Sequence, residues 1–213
     1  MAENERSFYF ALCVATKGEQ TRDAILEGAL KLASRVGLEG LSIGMLAEEL
    51  ALSKSGLFAH FGSKETLQLR TIEYAAERFA ELIVKPALAA PRGEPRVRAL
   101  FEATLRWPVL VPQPGGCLFV SAAVEFDDRP GPVRNRLRDY WRQRVSFFAG
   151  AVRKATEAGH FRRDVDPDQF SFEVDGILIA YHFASRLLDD PKADERAHRA
   201  FDALVSAARP SRR

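Results

Sequence analysis

Cysteine is scarce in this chain of 213 residues, which contains only Cys13 and Cys117. Two thiols do not provide the set of disulfides that stabilises small secreted domains. We therefore expect a reducing, cytoplasmic setting in which both cysteines act as small apolar side chains. A chain of this length can bury a sizeable hydrophobic core without covalent cross-links.

Long hydrophobic runs are also missing. No segment approaches the roughly 18 apolar residues that a membrane-spanning helix needs, so we expect no membrane partner. The apolar stretch FYFALCVA at residues 8–15 is short, and it follows Glu3 and Glu5 where a secretory signal would carry basic residues. We expect this N-terminal arm to pack on the body of the protein or to be partly disordered.

Net charge is small, because 31 basic residues face 29 acidic residues and leave a formal charge of +2. Such a chain has no global attraction for nucleic acid, so any nucleic-acid site must depend on locally placed groups. The sequence also lacks glycine-rich phosphate loops and clusters with metal-ligand spacing. It therefore predicts neither a cofactor nor a metal site, and we expect a protein that is not an enzyme.

Helical periodicity dominates what is present, and no strand pattern is evident, which predicts an all-α fold. In the N-terminal part, hydroxyl side chains are placed to cap four successive helices. These caps are Thr21, Ser42, Ser53 and Ser63. The predicted helices cover residues 21–36, 43–50, 54–61 and 63–84.

Prolines at positions 86, 91 and 95 mark a change of composition after the fourth helix. Five further helices are predicted beyond it, at about 94–107, 117–126, 133–158, 166–188 and 190–208. Their best start signal is Asp166-Pro167, which combines a cap with proline at the first helical position. The segment Pro108–Gly116 is predicted to be a loop, because prolines and glycines interrupt it.

The third predicted helix divides into two faces. Leu57 and Phe61 lie four residues apart, so they share a face that can anchor on the first two helices. The start of the helix, at Lys54, is small and polar. A recognition helix needs this arrangement, because its N-terminal residues enter the major groove while its opposite face holds it in place. Gly56 costs about 1 kcal/mol of helix propensity, and close approach to DNA is one reason to tolerate it.

Residues 21–67 resemble the DNA-binding domain of the TetR family of transcriptional regulators. The resemblance is carried by TRDAILEGALKLASRVGLEGLSIGMLAEELALSKSGLFAHFGSKETL, which aligns without gaps. It implies a helix-turn-helix domain at 21–67 after an N-terminal arm at 1–20, then a larger helical effector-binding and dimerisation domain at 68–208 and a tail at 209–213. It also implies three partners: a double-stranded DNA operator, a small-molecule effector and a second copy of the chain.

The resemblance assigns eight residues to DNA. They are Ser42 and Ser53 at caps that face the phosphate backbone, Lys54, Ser55 and Gly56 where bases are read, Phe58, and His60 and Lys64 where phosphates are held. The family usually has tyrosine at the position of Phe58, so a phosphate-binding hydroxyl is missing and we expect packing or van der Waals contact there. Because residues 21–70 carry six basic and six acidic side chains, binding depends on placed donors and helix N-termini.

The middle helices are predicted to enclose the effector. Their candidate ligand-binding residues are Trp107, Cys117, Phe119, Glu125, Phe126, Trp141, Phe148 and His182, with Tyr140 and Phe147 as further candidates. Any one of these aromatic side chains could equally be a buried residue of the hydrophobic core. The loop Pro108–Gly116 is a candidate flap, and effector binding is expected to act through the long fourth helix.

The last two helices are predicted to form a two-fold interface, because TetR-like proteins read palindromic half-sites as dimers. The candidate interface residues are Phe170, Val174, Ile177, Tyr181, Ala197, Ala200, Phe201 and Leu204. An internal core helix is the alternative reading of the first of these two helices.

Three other functions remain open at this point. Oxidation of Cys117 could replace a ligand in a thiol-based redox sensor. Cys117 and His182 could form the nucleophile and base of an enzyme. A helical adaptor without DNA binding is a third reading, supported by Phe58 and the uncharged DNA-binding domain. Repression is the default direction of regulation that the resemblance implies.

Overall fold

The structure of the protein is a computed structural model that describes residues 17–111 and 113–211. Within these ranges it contains helices and no strand, which confirms the predicted all-α class. The N-terminal arm at 8–15, with Cys13, lies outside the described residues. The helices are α1 Lys17–Val36, α2 Ile43–Glu49, α3 Lys54–Phe61, α4 Lys64–Phe79, α5 Lys85–Ala89, α6 Glu94–Leu105, α7 Trp107–Leu110, α8 Leu118–Phe126, α9 Pro132–Glu157, α10 Pro167–Arg186 and α11 Ala193–Ala208.

Local capping chemistry explains where most of these helices begin. The hydroxyl oxygens of Ser42, Ser53 and Ser63 each accept a hydrogen bond from the backbone N–H three residues on, at 3.0–3.2 Å. Asp166 accepts from two backbone N–H groups at the start of α10. These four caps confirm the predictions. The prediction for Thr21 is wrong, because α1 begins at Lys17 and Thr21 lies inside it.

The fourth helix continues beyond its predicted end. Residues Ala80–Val84 form one wide π-helical turn after α4, and the Lys85 N–H bonds to the carbonyl of Ala80, five residues back. Pro86 accounts for this turn, because it has no N–H and its ring crowds the carbonyl of Leu82, four residues back. The chain then runs directly into α5, so proline widens the helix here instead of ending it.

Two hydrophobic clusters hold the helices together. One joins α1–α4 to α7, α8 and the first half of α9, so that Leu30 and Leu57 share a core with Phe119 and Tyr140. The other packs α6 and the second half of α9 against α10 and α11, with the Phe101 and Phe201 rings stacked 3.8 Å apart. The DNA-binding helices therefore do not form an isolated unit, since their core extends into the larger domain.

The segment that was predicted to be a loop, Pro108–Gly116, is partly helical, because α7 covers Trp107–Leu110. Its described remainder packs between α1 and α10. The Gly115 N–H donates to the Ser34 hydroxyl at 3.2 Å, and Arg186 donates to the carbonyl of Pro114 at 3.0 Å. A side chain at Gly115 would collide with the backbone of Ser34. The flap prediction is therefore wrong for these residues. Among the described helices, none is long and apolar enough to span a membrane.

Candidate DNA-binding surface and effector cavity

Helix α3 is held from one side only. Leu57 and Phe61 are buried, with Leu57 only 2% exposed, and both belong to the core shared with α1 and α2. The other side of the helix faces solvent, including Lys54 and Ser55 at its N-terminus and His60 near its end. This division by face confirms the reading of the third helix from sequence. The polar start of α3 is free to enter a groove.

Phe58 is the unusual member of the exposed face, because this large aromatic residue is 56% exposed. An exposed aromatic ring of this size is not needed to hold α3, which Leu57 and Phe61 already anchor. The expected packing contact therefore does not come from the protein's own core. The ring is available for apolar contact with deoxyribose or a thymine methyl group.

Gly56 has a structural reason that the sequence did not reveal. A Cβ atom at this position would lie 2.8 Å from the hydroxyl oxygen of Ser53, which caps the helix by accepting from the Gly56 N–H at 3.1 Å. The absence of a side chain lets the cap and the turn fit together. Close approach to DNA remains a prediction for this residue.

Lys64 is engaged within the protein. Its ammonium group donates to Glu39 at 3.0 Å, and Gln68 and Arg129 also reach the same carboxylate. The hydrogen bond from Lys64 lowers the pKa of Glu39. Because both side chains are nearly half exposed, this pair is weak enough for a phosphate to compete for Lys64.

Glu125 belongs to the contact between the larger domain and the DNA-binding domain. Its Oε2 accepts a hydrogen bond from the backbone N–H of Glu39 at 2.9 Å. A side chain at Gly37, where φ is +81°, would lie 2.2 Å from its Oε1. The prediction that Glu125 contacts the effector is therefore wrong, because its carboxylate caps the α1–α2 turn instead. The sequence did not show that α8 reaches that turn.

A cavity of about 60 Å³ lies between α4, α6 and α9. Its walls are mostly apolar, and its polar side chains are Thr104, Tyr140, Gln143 and Arg144. The Thr104 hydroxyl is already used, because it donates to the carbonyl of Leu100 at 2.7 Å. The apolar lining residues are Ala76, Phe79, Ala80, Val84, Leu100, Phe147 and Phe148.

Among the eight predicted ligand-binding residues, the structure places only Phe148 at this cavity, together with the two further candidates, Tyr140 and Phe147. Trp107 and Phe119 form a layer behind it, since the Trp107 ring contacts Phe79 at 5.2 Å and the Phe119 ring stacks on Tyr140 at 3.6 Å. These rings support the wall without lining the space.

Trp141 and Phe126 also lie outside the cavity. Trp141 packs edge-on against Tyr140, and Phe126 is buried in the first hydrophobic cluster beneath the guanidinium of Arg129. Their predicted role in effector binding has no support from their positions.

Arg144 is the charged residue among the cavity residues that the sequence did not predict. It lies on the α9 stripe Val133, Leu137, Tyr140, Phe148, Ala151 and Ala155, whose other members are buried and hydrophobic. Its side chain is only 9% exposed and pairs with Asp175 of α10. A charged residue at a core position of an otherwise apolar stripe was the signal that could have identified it.

Cys117 and His182 do not have the properties of a reactive pair. Burial raises the pKa of the Cys117 thiol, so the thiol form is favoured over the nucleophilic thiolate. His182 belongs to α10 and lies beside Gly116 without lining the cavity. Burial lowers the pKa of its imidazole. Within the described part of the chain, no group of three or more His, Cys, Asp or Glu side chains is arranged to hold a metal ion.

Sequence families match both parts of this architecture. The family described as "Bacterial regulatory proteins, tetR family" matches residues 25–71. The family described as "Tetracyclin repressor-like, C-terminal domain" matches residues 93–201. The first match contains the whole of α3 and its caps, and the second contains α6 through most of α11.

Characterised relatives resemble nearly the whole chain. The HTH-type transcriptional repressor AcnR of Corynebacterium glutamicum is 33% identical over 179 residues, which is 84% of each chain. AcnR of Corynebacterium diphtheriae is 34% identical over 199 residues, covering 92% of this chain and 97% of that protein. The chain is a member of the TetR family of transcriptional regulators.

Solved structures of other proteins share its fold. The regulator from Cytophaga hutchinsonii superposes with a TM-score of 0.81 at 18% identity, covering 94% of this chain and 100% of that chain. AibR in complex with isovaleryl coenzyme A and operator DNA superposes with a TM-score of 0.61 at 23% identity, covering 89% of this chain and 98% of AibR. At these identities, the likeness shows the fold alone.

Most of the predicted dimer residues of this TetR-family regulator lie on the sides of α10 and α11 that pack within the chain. Phe170, Val174, Ala197 and Phe201 are almost fully buried within the chain, in the second hydrophobic cluster, so the prediction is wrong for these four. Ile177, Tyr181 and Leu204 are partly buried against the same cluster, and Ala200 is exposed. The alternative reading, a core helix, is correct for this side of α10.

The opposite side of α10 carries an exposed apolar stripe that the sequence reading did not select. Large hydrophobic side chains there recur at helical spacing and are at least a third exposed. They are Phe172, Ile179, Phe183 and Leu187, with Gly176 between the first two. Soluble proteins seldom leave such a continuous stripe uncovered.

Proposed function

We propose that this regulator is a repressor that binds a two-fold symmetric operator as a homodimer and leaves it when a small molecule occupies the cavity. The observation that carries the proposal is the geometry of α3, whose polar N-terminus is exposed while Leu57 and Phe61 fix its other side. Repression itself is inferred from the AcnR relatives, which are named transcriptional repressors.

DNA recognition is assigned to α2 and α3. Lys54 and Ser55 lie where the start of a recognition helix meets base edges, and Phe58 supplies apolar contact in place of the usual tyrosine hydroxyl. Ser42 and Ser53 present two helix N-termini to the phosphate backbone. Because residues 21–70 carry no net charge, we expect a modest dependence of affinity on salt.

Dimerisation is assigned to the exposed stripe of α10, helped by α11. On α11, the small residues Ala200, Ala203 and Ala207 are exposed at three- and four-residue spacing, which permits close approach of a second helix. A second copy of the chain fits this surface, because a two-fold axis would place each stripe on its equivalent and each α3 on one half-site.

Effector response is assigned to the cavity because α4 forms one of its walls. Phe79 at the end of α4 and Ala80 in the π-helical turn both line the space, and α4 begins at Lys64 directly after the recognition helix. A molecule that enlarges the cavity must move this wall. The same helix would then change the spacing of the two α3 helices.

The test is operator binding by the purified full-length protein, measured by fluorescence anisotropy on DNA that flanks its own gene. We expect Lys54→Ala to weaken specific binding by about tenfold or more, the value of one good base contact. Lys154→Ala is the matched control, because that exposed lysine pairs with Glu157 at the far end of α9. Equal binding by both variants and the wild type contradicts the assignment of α3.

A further inference from the structure

We propose that the effector is an organic monocarboxylate with a compact apolar body, whose headgroup binds Arg144 and whose body occupies the cavity between α4, α6 and α9. The role of this carboxylate as the effector rests on the function proposed above. The binding site itself rests on the charge and hydrogen bonding of the cavity residues.

The first observation is an incomplete set of hydrogen bonds at Arg144. One terminal nitrogen, Nη2, pairs with Oδ1 of Asp175, while the Nε–H is buried and has no acceptor. The face of the guanidinium is covered by Trp141, with the ring centroid 4.4 Å from Cζ. The edge formed by Nε and Nη2 therefore remains the place for a further acceptor, and this edge matches the two oxygens of a carboxylate.

The second observation is the charge of the cavity walls. Within the described part of the chain, Arg144 is the only charged residue that lines this cavity, and no carboxylate lines it. A cationic ligand would meet the positive charge of Arg144 in an otherwise apolar space. An anion would supply the missing acceptor.

The third observation concerns the rest of the ligand. The walls away from Arg144 are mostly apolar, with Phe79, Val84 and Leu100 among them, and their polar side chains are neutral, so they offer no second cation. A dicarboxylate would have to bury its second charge in this mostly apolar space without a charged partner. A cavity of about 60 Å³ holds a few water-sized groups, which limits the apolar body to a short chain unless the walls move.

Asp175 is the internal competitor for the same edge of Arg144. It lies on α10, between the core side and the exposed stripe, and it is mostly buried. A ligand carboxylate would share or replace its bond to Arg144. Occupation of the cavity would thereby loosen a direct link between α9 and the helix that we assign to dimerisation.

The experiment is calorimetric titration of the full-length protein without DNA, with butanoate and hexanoate as probes and butanamide and succinate as matched controls. We expect a carboxylate probe to bind at least about tenfold more tightly than butanamide, the contribution of one charge-assisted hydrogen bond. Succinate, which replaces the terminal methyl group with a second carboxylate, is expected to bind more weakly than butanoate. The proposal is overturned if neither monocarboxylate binds, or if butanamide or succinate binds equally well.

Variants separate recognition from folding. Arg144→Met combined with Asp175→Asn leaves no unpaired buried charge, and it is expected to weaken carboxylate binding about tenfold or more. Asp175→Asn alone removes the competitor and is expected to tighten binding, a result that a merely structural role would not produce. Arg98→Met is the control, because Arg98 pairs with Glu94 and Asp202 away from the cavity. Unchanged binding by the double variant overturns the proposal.

Operator binding is measured in parallel. Carboxylate binding that depends on Arg144 without any operator binding would refute the proposed function and leave the site intact. Operator binding without carboxylate binding would refute this inference alone.

Discussion

The variant Phe172→Ser tests directly whether the exposed stripe of α10 forms the dimer interface. Phe172 is 71% exposed in the single chain. Full burial of a phenylalanine side chain contributes about 1.5–3 kcal/mol, so burial of the exposed part of Phe172 in a dimer should contribute about 1–2 kcal/mol per copy. Two copies contribute about 2–4 kcal/mol. The dimer dissociation constant should therefore rise by about 30- to 1,000-fold.

The assay is sedimentation equilibrium over a range of protein concentrations, with thermal unfolding measured alongside. Phe58→Ser is a matched control, because this exposed phenylalanine lies on α3 and should affect operator binding but not dimerisation. Phe170→Ser provides a contrast only two residues away. Its side chain is 3% exposed, so truncation should cost about 3–5 kcal/mol of folding free energy.

A dissociation constant for Phe172→Ser within about threefold of the wild-type value would refute the assignment of this face. A wild-type protein that is monomeric at micromolar concentration would refute dimerisation itself. Loss of folding in Phe172→Ser would contradict the exposure of this side chain.

Three further outcomes follow from single side chains. Gly56→Ala should change the free energy of unfolding by less than about 1 kcal/mol, because gained helix propensity offsets a strained Ser53 cap, while operator binding measured by anisotropy weakens. Leu57→Ala should cost about 2–5 kcal/mol in urea denaturation, since it leaves a cavity beneath α3. The hydrogen bond to the Asp194 carbonyl raises the pKa of His198 above its unfolded value, so its stabilising contribution is complete below the unfolded pKa and is lost as pH rises through the folded pKa. His198→Gln should therefore destabilise the protein more at about pH 5.5 than at about pH 8.5.

Each of these outcomes has a result that contradicts it. Unchanged operator affinity in Gly56→Ala would remove the need for close approach to DNA at that position. A stable Leu57→Ala variant would show that α3 does not depend on its buried face. A pH-independent effect of His198→Gln would mean that the ring does not titrate differently in the folded and unfolded chains.

Local chemistry made the DNA-binding part predictable. Ser42, Ser53 and Ser63 each accept a hydrogen bond from the backbone N–H three residues on, and a hydroxyl residue directly before a helical repeat can be read from the sequence. The anchoring of α3 by Leu57 and Phe61 follows from the four-residue repeat. The prediction of a cap at Thr21 is wrong because threonine also occurs inside helices. No local feature of the sequence excluded the additional helical turn before Thr21.

Contacts between distant parts of the chain determine the features that could not be predicted from the sequence. Helix α10 is apolar on most sides, so composition could not distinguish Phe170, which packs on the core, from Phe172, which faces solvent. The cavity residues come from three separate helices. An aromatic side chain in the sequence could equally line the cavity, as Tyr140 does, or lie behind its wall, as Phe119 does. Glu125 was misread because its partner, the α1–α2 turn, lies 86 residues away in sequence.

The proposed coupling between effector and operator has a physical route that does not require a flexible hinge. The first hydrophobic cluster runs from α1 through α4 into α8 and α9, so the DNA-binding helices and the cavity wall share one packed core. Close-packed cores change between discrete arrangements more readily than they deform, because voids and overlaps are both costly. The π-helical turn at Ala80–Val84 is the point on this route where the backbone already departs from regular α-helical bonding. On the proposed function, a ligand that fills the cavity would press on this turn, and a shift in the hydrogen bonding of the turn would rotate α4 and move the recognition helix that precedes it.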